Sequence, residues 1–366
     1  MPFCTMRLRV MKSLNMITRR GALATIGAGS IASLAGCMGG GDDSLRFLGF
    51  GGNTQESQMR IFDEWAEQEG VDVEGDSAGG TAEMVSRIQQ NPGEYDLVAL
   101  NDTGMAQGQE EDVLEPIDLG EIPNYTDNIR DGAQDLVFFL DGDETVGLIR
   151  ENGATGYAYN TELVDEELTT WADIKDPDLD GEVALLDRAV DRLSNCAVAI
   201  DADINDAVDD EDLFEDVIEE AEEQNQNVFS YWADGATSIQ YLQQENAHVC
   251  EAWGGRVLAL QEDGYDHIEY VMPEEGAMAW TDALAIVEGT ENRELVHDLL
   301  NFTYERENLI QMSDDMNYTV QIEDPPEEMQ ELPDYAPIED LAFRDWSQIL
   351  PIQDEWSERF QDVKQS

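Results

Sequence analysis

A few residues of this 366-residue chain stand where their type and spacing give them chemistry to do. Arg19 and Arg20 precede an Ala-, Gly- and Ser-rich stretch, Ala22 to Leu34, about half as long as the roughly 20 residues of a spanning helix. The arrangement reads as a twin-arginine export signal. Small residues, Leu34-Ala35-Gly36, then lead to Cys37, a lipoprotein cleavage box in which Cys37 becomes the lipid-bearing N-terminus. Further on, Asp282 lies between Trp280 and the apolar run Ala283-Leu284-Ala285-Ile286. That setting predicts a partly buried acid, and a buried acid needs a partner. Cys196 and Cys250 form an even pair in an exported domain, either a disulfide or two buried thiols. His248, His267 and His297 lack zinc-ligand spacing. Asp201 to Asp206 has the acids of a calcium loop but Asp206 where the turn requires glycine, so no metal is expected. Nor is any cofactor. Beyond Cys37 the chain holds no phosphate-cradling Gly-Lys-Ser/Thr loop.

Alternating strand and helix signals must position these residues. Leu45 to Phe50 reads as a strand, Thr54 to Glu69 as a helix closed by Gly70, and Val71 to Val73 as a short strand. Thr81 to Gln90 reads as a helix stopped by Asn91-Pro92-Gly93, and Tyr95 to Leu100 as a buried strand. A second unit follows, with strands at Gly156–Asn160, Gly181–Asp187 and Ala247–Trp253 and an acidic helix from Asp212 to Gln224. Ala279 to Ile286 reads as a strand crossing back to the first unit, before a helix from Arg293 to Tyr304. The double alternation predicts an α/β fold of two units, each a mostly parallel sheet with flanking helices. Paired acids carry no weight as glycosidase signals here, because acids are everywhere.

The chain carries 82 acids against 19 bases, a net charge of −63. The first 36 residues hold five of the bases and no acid, so the remainder carries 82 acids against 14 bases, or −68. Apolar residues still make up 42%, enough for a core. Acid spread evenly, with Lys175 and Lys364 the last lysines, fits a folded surface adapted to molar salt, where the Debye length is about 3 Å, and so a halophile, in all expectation an archaeon. Nucleic acid is excluded as a partner, since no basic patch exists to neutralise phosphates.

In order and wording, the segments Glu94-Tyr95-Asp96-Leu97-Val98, Ala154–Asn160, Trp171-Ala172-Asp173-Ile174, Gly181–Asp187 and Glu275–Ile286 resemble the spermidine/putrescine-binding proteins of ABC importers. The resemblance runs from about Leu45 to the C-terminus. It implies a type II periplasmic-binding-protein fold with a ligand cleft between two lobes. Residues 1–36 would be the signal peptide and 37–44 a flexible tether. Lobe 1 would comprise 45–150 and 284–312, and lobe 2 would comprise 151–283 and 313–366, with C-terminal helices packing across both.

Carried over residue by residue, the resemblance implies that Asp282 answers an ammonium and Trp280 covers its methylenes. Trp253 walls the cleft, Asp187 matches an acid at the end of a second-lobe strand, and Tyr318 matches a tyrosine after the helix. Gln348 stands near the family's late glutamine. Tyr231-Trp232-Ala233-Asp234 precedes a helix; Trp232 reads either as cleft wall or as part of a capping loop. The companion acid of the family falls on Val190, with Asp191 beside it. Phe50 and Asn53 replace an aromatic pair, and Asn101 and Thr103 replace a serine and a tyrosine, so half the aromatic cage is changed. The implied function is capture of a small cationic amine by hinge closure. The protein would be a monomer on the outer face of the membrane, delivering the solute to an ABC permease. The alternatives are an anion or sugar-like ligand, contacted by Asn101, Thr103, Tyr318 and Arg192, and, outside binding proteins, an extracellular hydrolase or a structural surface protein.

Overall fold

A computed structural model describes residues 44–366, apart from 143, 339 and 340. The export signal, Cys37 and nearly all of the tether lie outside the described residues. The described residues build twelve strands: β1 (Ser44–Phe50), β2 (Asp72–Ala78), β3 (Leu97–Asn101), β4 (Leu114–Glu115), β5 (Leu140–Asp141), β6 (Glu144–Thr145), β7 (Leu148–Asn160), β8 (Val183–Leu186), β9 (Val228–Trp232), β10 (Val249–Trp253), β11 (Ile268–Val271) and β12 (Ala279–Val287).

Ten of them join in the order β2-β1-β3-β12-β7-β10-β8-β9, with β4 on β12 and β11 on β7. β2, β1 and β3 run parallel, as do β10, β8 and β9. Between these two parallel triplets lie β12 and β7, antiparallel to each other and to the strands on either side. This is the curled sheet of a two-lobed α/β protein: β7 carries the chain from the first triplet to the second, and β12 brings it back.

Local sequence explains the first half. β1 buries Leu45, Phe47 and Leu48, and Phe62 of the following helix meets Phe47 edge-on at 5.1 Å. That helix, Asn53–Glu69, ends at Gly70, whose φ of 73° is left-handed and whose N–H bonds the carbonyl of Ala66. β3 is apolar and buried, as a central parallel strand must be. β2 runs seven residues rather than the three predicted. Its residues are mostly polar, but every one registers with β1, and an exposed edge tolerates them.

β7 departs most from the prediction. The sequence suggests a strand only over Gly156–Asn160, yet the strand begins at Leu148 and all thirteen residues are buried. The polar run Arg150-Glu151-Asn152 hides this extension. It is tolerated because Arg150 pairs with Glu151, and Asn152 accepts from Gln321 Nε2 at 2.9 Å.

In the second half, the helix Glu211–Asn225 starts at Asp210, whose carboxylate accepts from the Asp212 and Leu213 amides. It packs on the C-terminal helix Gln353–Val363 through Phe214 stacked on Trp356 at 5.0 Å. Cys196 and Cys250 are both buried free thiols, which settles the alternatives left by their even number. No described helix is long and apolar enough to cross a membrane. Among the described residues no three His, Cys, Asp or Glu gather as a metal site.

Candidate functional site

The candidate site lies where the two triplets meet, on the pair β7–β12. In that ladder Trp280 registers with Gly153 and Asp282 with Glu151. Strand alternation puts Trp280 and Asp282 on one face, while Thr281 between them is buried and donates to the Glu151 carbonyl at 2.9 Å. Asp282 keeps 13% of its side chain exposed and lies 3.2 Å from Arg150 Nη2. Arg150 is itself 1% exposed and grips Glu151 through two nitrogens. One guanidinium therefore serves two carboxylates. Burial, followed by the repulsion of Glu151, pushes the Asp282 carboxyl up to about 8, and Arg150 only partly offsets it.

Trp280 meets Tyr318 edge-on at 4.9 Å, and burial raises the Tyr318 hydroxyl. Gly153 has no side chain for a packing reason: a Cβ there would come within 2.5 Å of both the Trp280 ring and Asp334 Oδ2. Asp334 was not visible as a site residue in the sequence. It is fully buried, its Oδ2 accepts from the Ala154 amide at 3.2 Å, and its Oδ1 has no partner among the described residues. Burial pushes its carboxyl up to about 7, against the pull of the Ala154 amide.

On the second-triplet side, Trp253 ends β10 and donates from Nε1 to Thr155 Oγ1 at 3.1 Å. Arg188 lies 5.6 Å and Arg256 5.5 Å from its ring centre. Arg188 follows β8 and precedes the helix Ala189–Ala199; its side chain is 46% exposed. Burial nevertheless pulls its pKa below the usual arginine value, opposed by Asp102 and Asp282 acting through space.

Arg344 joins the two sides. Its Nη2 donates to Asp102 Oδ2 at 2.7 Å and to the Ala279 carbonyl at 3.1 Å, and its Nη1 pairs with Asp191. Asp102 opens the helix after β3 and Asp191 lies in the helix after β8, so one 3%-exposed arginine ties both triplets. The sequence does carry a signal for Arg344: where bases are so few, each is a candidate for work away from the surface.

The structure brings Asp282, Trp280 and Tyr318 together, sets Asn101 opposite Asp282 in the β3–β12 ladder, and places Trp253 with Arg188, but it scatters most of the other predicted contacts. Asp187 is exposed and bonds Lys364 of the C-terminal helix. Beside Lys364 a separate recess of about 540 Å³ opens along β9, lined by Phe229 and Tyr231. Trp232 is 1% exposed and reaches the site only through Trp253, which it meets edge-on at 5.2 Å. Gln348 is exposed and donates to Asp345; the position that reaches the site is Arg344. Asn53 is exposed and donates to the Asp315 carbonyl. Asn101 caps the helix Asp102–Glu110, accepting from the Gly104 amide at 2.9 Å and Thr81 Oγ1 at 2.7 Å, which leaves its amide nitrogen for other contacts. Phe50 at the end of β1 and Thr103 in the first turn of the helix Asp102–Glu110 are half-buried. Arg192, the anion contact of the alternative reading, is 1% exposed and bound to Glu251 at 3.3 Å, so it is not open to a ligand.

Two parallel triplets joined by two crossing strands, with acids, arginines and tryptophans at the crossing, define the two-lobed solute-binding class. Residues 60–336 match the family model for bacterial extracellular solute-binding proteins, and the chain belongs to that family. It is 26% identical over 245 residues to spermidine/putrescine-binding periplasmic protein 1 of Haemophilus influenzae, a stretch covering 66% of each chain. In fold it is similar to the spermidine/putrescine substrate-binding protein PotD of Streptococcus pneumoniae (TM-score 0.77, 20% identity, covering 88% of this chain and 99% of that one). It is also similar to the TpPotD lipoprotein of Treponema pallidum (TM-score 0.75, 19% identity, covering 88% and 100%).

Proposed function

We propose that this protein is the lipid-anchored, extracellular solute-binding component of an ABC importer, capturing a small amine-bearing solute between its lobes. It is exported by the twin-arginine route and held by lipid on Cys37, and it acts as a monomer that passes its solute to a permease rather than as an enzyme. The lobes closing on the ligand are 45–150 with 284–312 and 151–283 with 313–366. The even acid coat suits a halophile's molar salt. The names of its relatives support a polyamine-like ligand.

One observation carries the reading. Asp282 is a largely buried carboxylate that shares its single arginine with Glu151. An arriving ammonium would supply the missing charge, and Trp280 on the same face would cover the attached methylenes. Affinity would then come from contacts made only in the closed form. Titration calorimetry in molar salt tests this with amines on the full-length protein and on Asp282→Asn. The substitution should weaken amine binding by about 100-fold, of order 2–3 kcal/mol for a charge-assisted contact. Unchanged amine affinity sinks the assignment.

A further inference from the structure

We propose that Arg188 and Arg256, set against the ring of Trp253, receive an anionic group of the solute, so that the captured molecule is a zwitterion bearing both an ammonium and a carboxylate. The inference rests on the reading that Asp282 takes the ammonium.

Bases are scarce in this chain. In a chain of 82 acids and 19 bases, an arginine has acids on every side. Among the described residues, each arginine except Arg188 and Arg256 donates a hydrogen bond or, for Arg60, pairs with Asp315. Arg188 has only Asp191 at 3.9 Å, and Asp191 is already held by Arg344. Arg256 is exposed, with Asp234 acting on it through space but no direct bond between them.

Both unbonded guanidiniums lie on one indole, at 5.6 and 5.5 Å from its centre. The indole gives each a modest cation–π contact. It does nothing for the hydrogen-bond donors, which a carboxylate would satisfy in the fork geometry that arginine favours. The site therefore has two ends of opposite character. At β7–β12, Glu151 and Asp282 share Arg150, so Asp282 lacks a cation of its own and a bound ammonium would hold its carboxyl in the charged form. At Trp253 the surplus charge is positive. The two ends adjoin: Trp253 bonds Thr155, two residues along β7 from the Gly153 that registers with Trp280, and Gly255 lies against Tyr318, which meets Trp280. A diamine would bring a second ammonium against two guanidiniums, whereas an amino carboxylate matches both ends.

Calorimetry on the full-length protein in molar salt decides, using matched probes with chains of about three to six carbons: α,ω-amino carboxylates, diamines and simple carboxylates. An amino carboxylate should bind tightest. Arg188→Gln and Arg256→Gln should each weaken it by about tenfold, near 1.4 kcal/mol, without lowering diamine affinity or the melting temperature. A diamine binding tighter than every amino carboxylate overturns the carboxylate site alone. So does an amino carboxylate that binds both arginine variants as it binds the parent. A simple carboxylate binding as tightly as its amino counterpart overturns the ammonium at Asp282 instead. Failure of every amino carboxylate to bind overturns the proposal outright.

Discussion

Arg344 Nη2 lies 2.7 Å from Asp102 Oδ2 while its Nη1 pairs with Asp191, so one buried guanidinium bonds an acid from each half of the sheet. Removing one partner of a buried pair leaves the others charged and unanswered, which costs about 3–5 kcal/mol. Arg344→Met should therefore lower the urea midpoint strongly. Adding Asp102→Asn and Asp191→Asn should recover much of the loss, because no buried charge is then left unpaired. Equal midpoints for Arg344→Met and the parent would show that the pairs do not hold the halves together.

How far the sequence discloses this site depends on whether the signal is local. Asp282 is legible because an acid beside an apolar run must be partly buried and must find a partner. Its partner is not legible: Arg150 reaches it through the register of β7 with β12, 132 positions away. Arg344 and Asp102 are 242 positions apart, and nothing near either announces the other. Trp232 illustrates the opposite error. An aromatic-polar motif before a helix suits a cleft wall or a cap, and here Asp234 caps the helix while Trp232 packs behind Trp253. The alternation of strands and helices was readable at β1, β3, β8 and β10. It missed β9, shortened β2, and lost most of β7, where a polar run sits in a fully buried strand.

Cys37 bears on where the protein works. A single acyl chain gives only marginal membrane binding, and stable anchoring takes more than one, so the lipid of a mature lipoprotein should account for retention. Cys37→Ser should move the protein from the membrane fraction to the medium without changing its melting temperature. Full retention of the serine variant at the membrane would rule out lipid on Cys37 as the anchor.

Gly153 sets how close Asp334 and Trp280 come to the crossing strands. A methyl at this position would lie 2.5 Å from both the indole and Asp334 Oδ2. Neither is the loose end of a surface chain, and overpacking of this kind costs about 1–3 kcal/mol. Gly153→Ala should lose stability of that order in a denaturant titration and weaken amine binding, because Trp280 must move. An alanine variant with parental stability and affinity would mean that the crossing has slack.

Asp334 predicts a dependence on pH. Its carboxyl is held near 7 in the fold by burial, against an ordinary value of 3.8. The folded state thus binds this proton more tightly than the unfolded chain does, so the contribution to stability is fully present below about pH 4 and is lost as pH rises through 7. Asp334→Asn carries no such charge and can keep the bond from the Ala154 amide. The variant should gain on the parent as pH rises from about 4 to 8, by up to roughly 4 kcal/mol at one pKa unit per 1.36 kcal/mol. Comparing the two proteins at each pH cancels the titration of the many surface acids, which both share. If the difference in unfolding free energy between them stays flat across that range, Asp334 is not an uncompensated carboxylate. The open Oδ1 would then have a partner supplied by solvent.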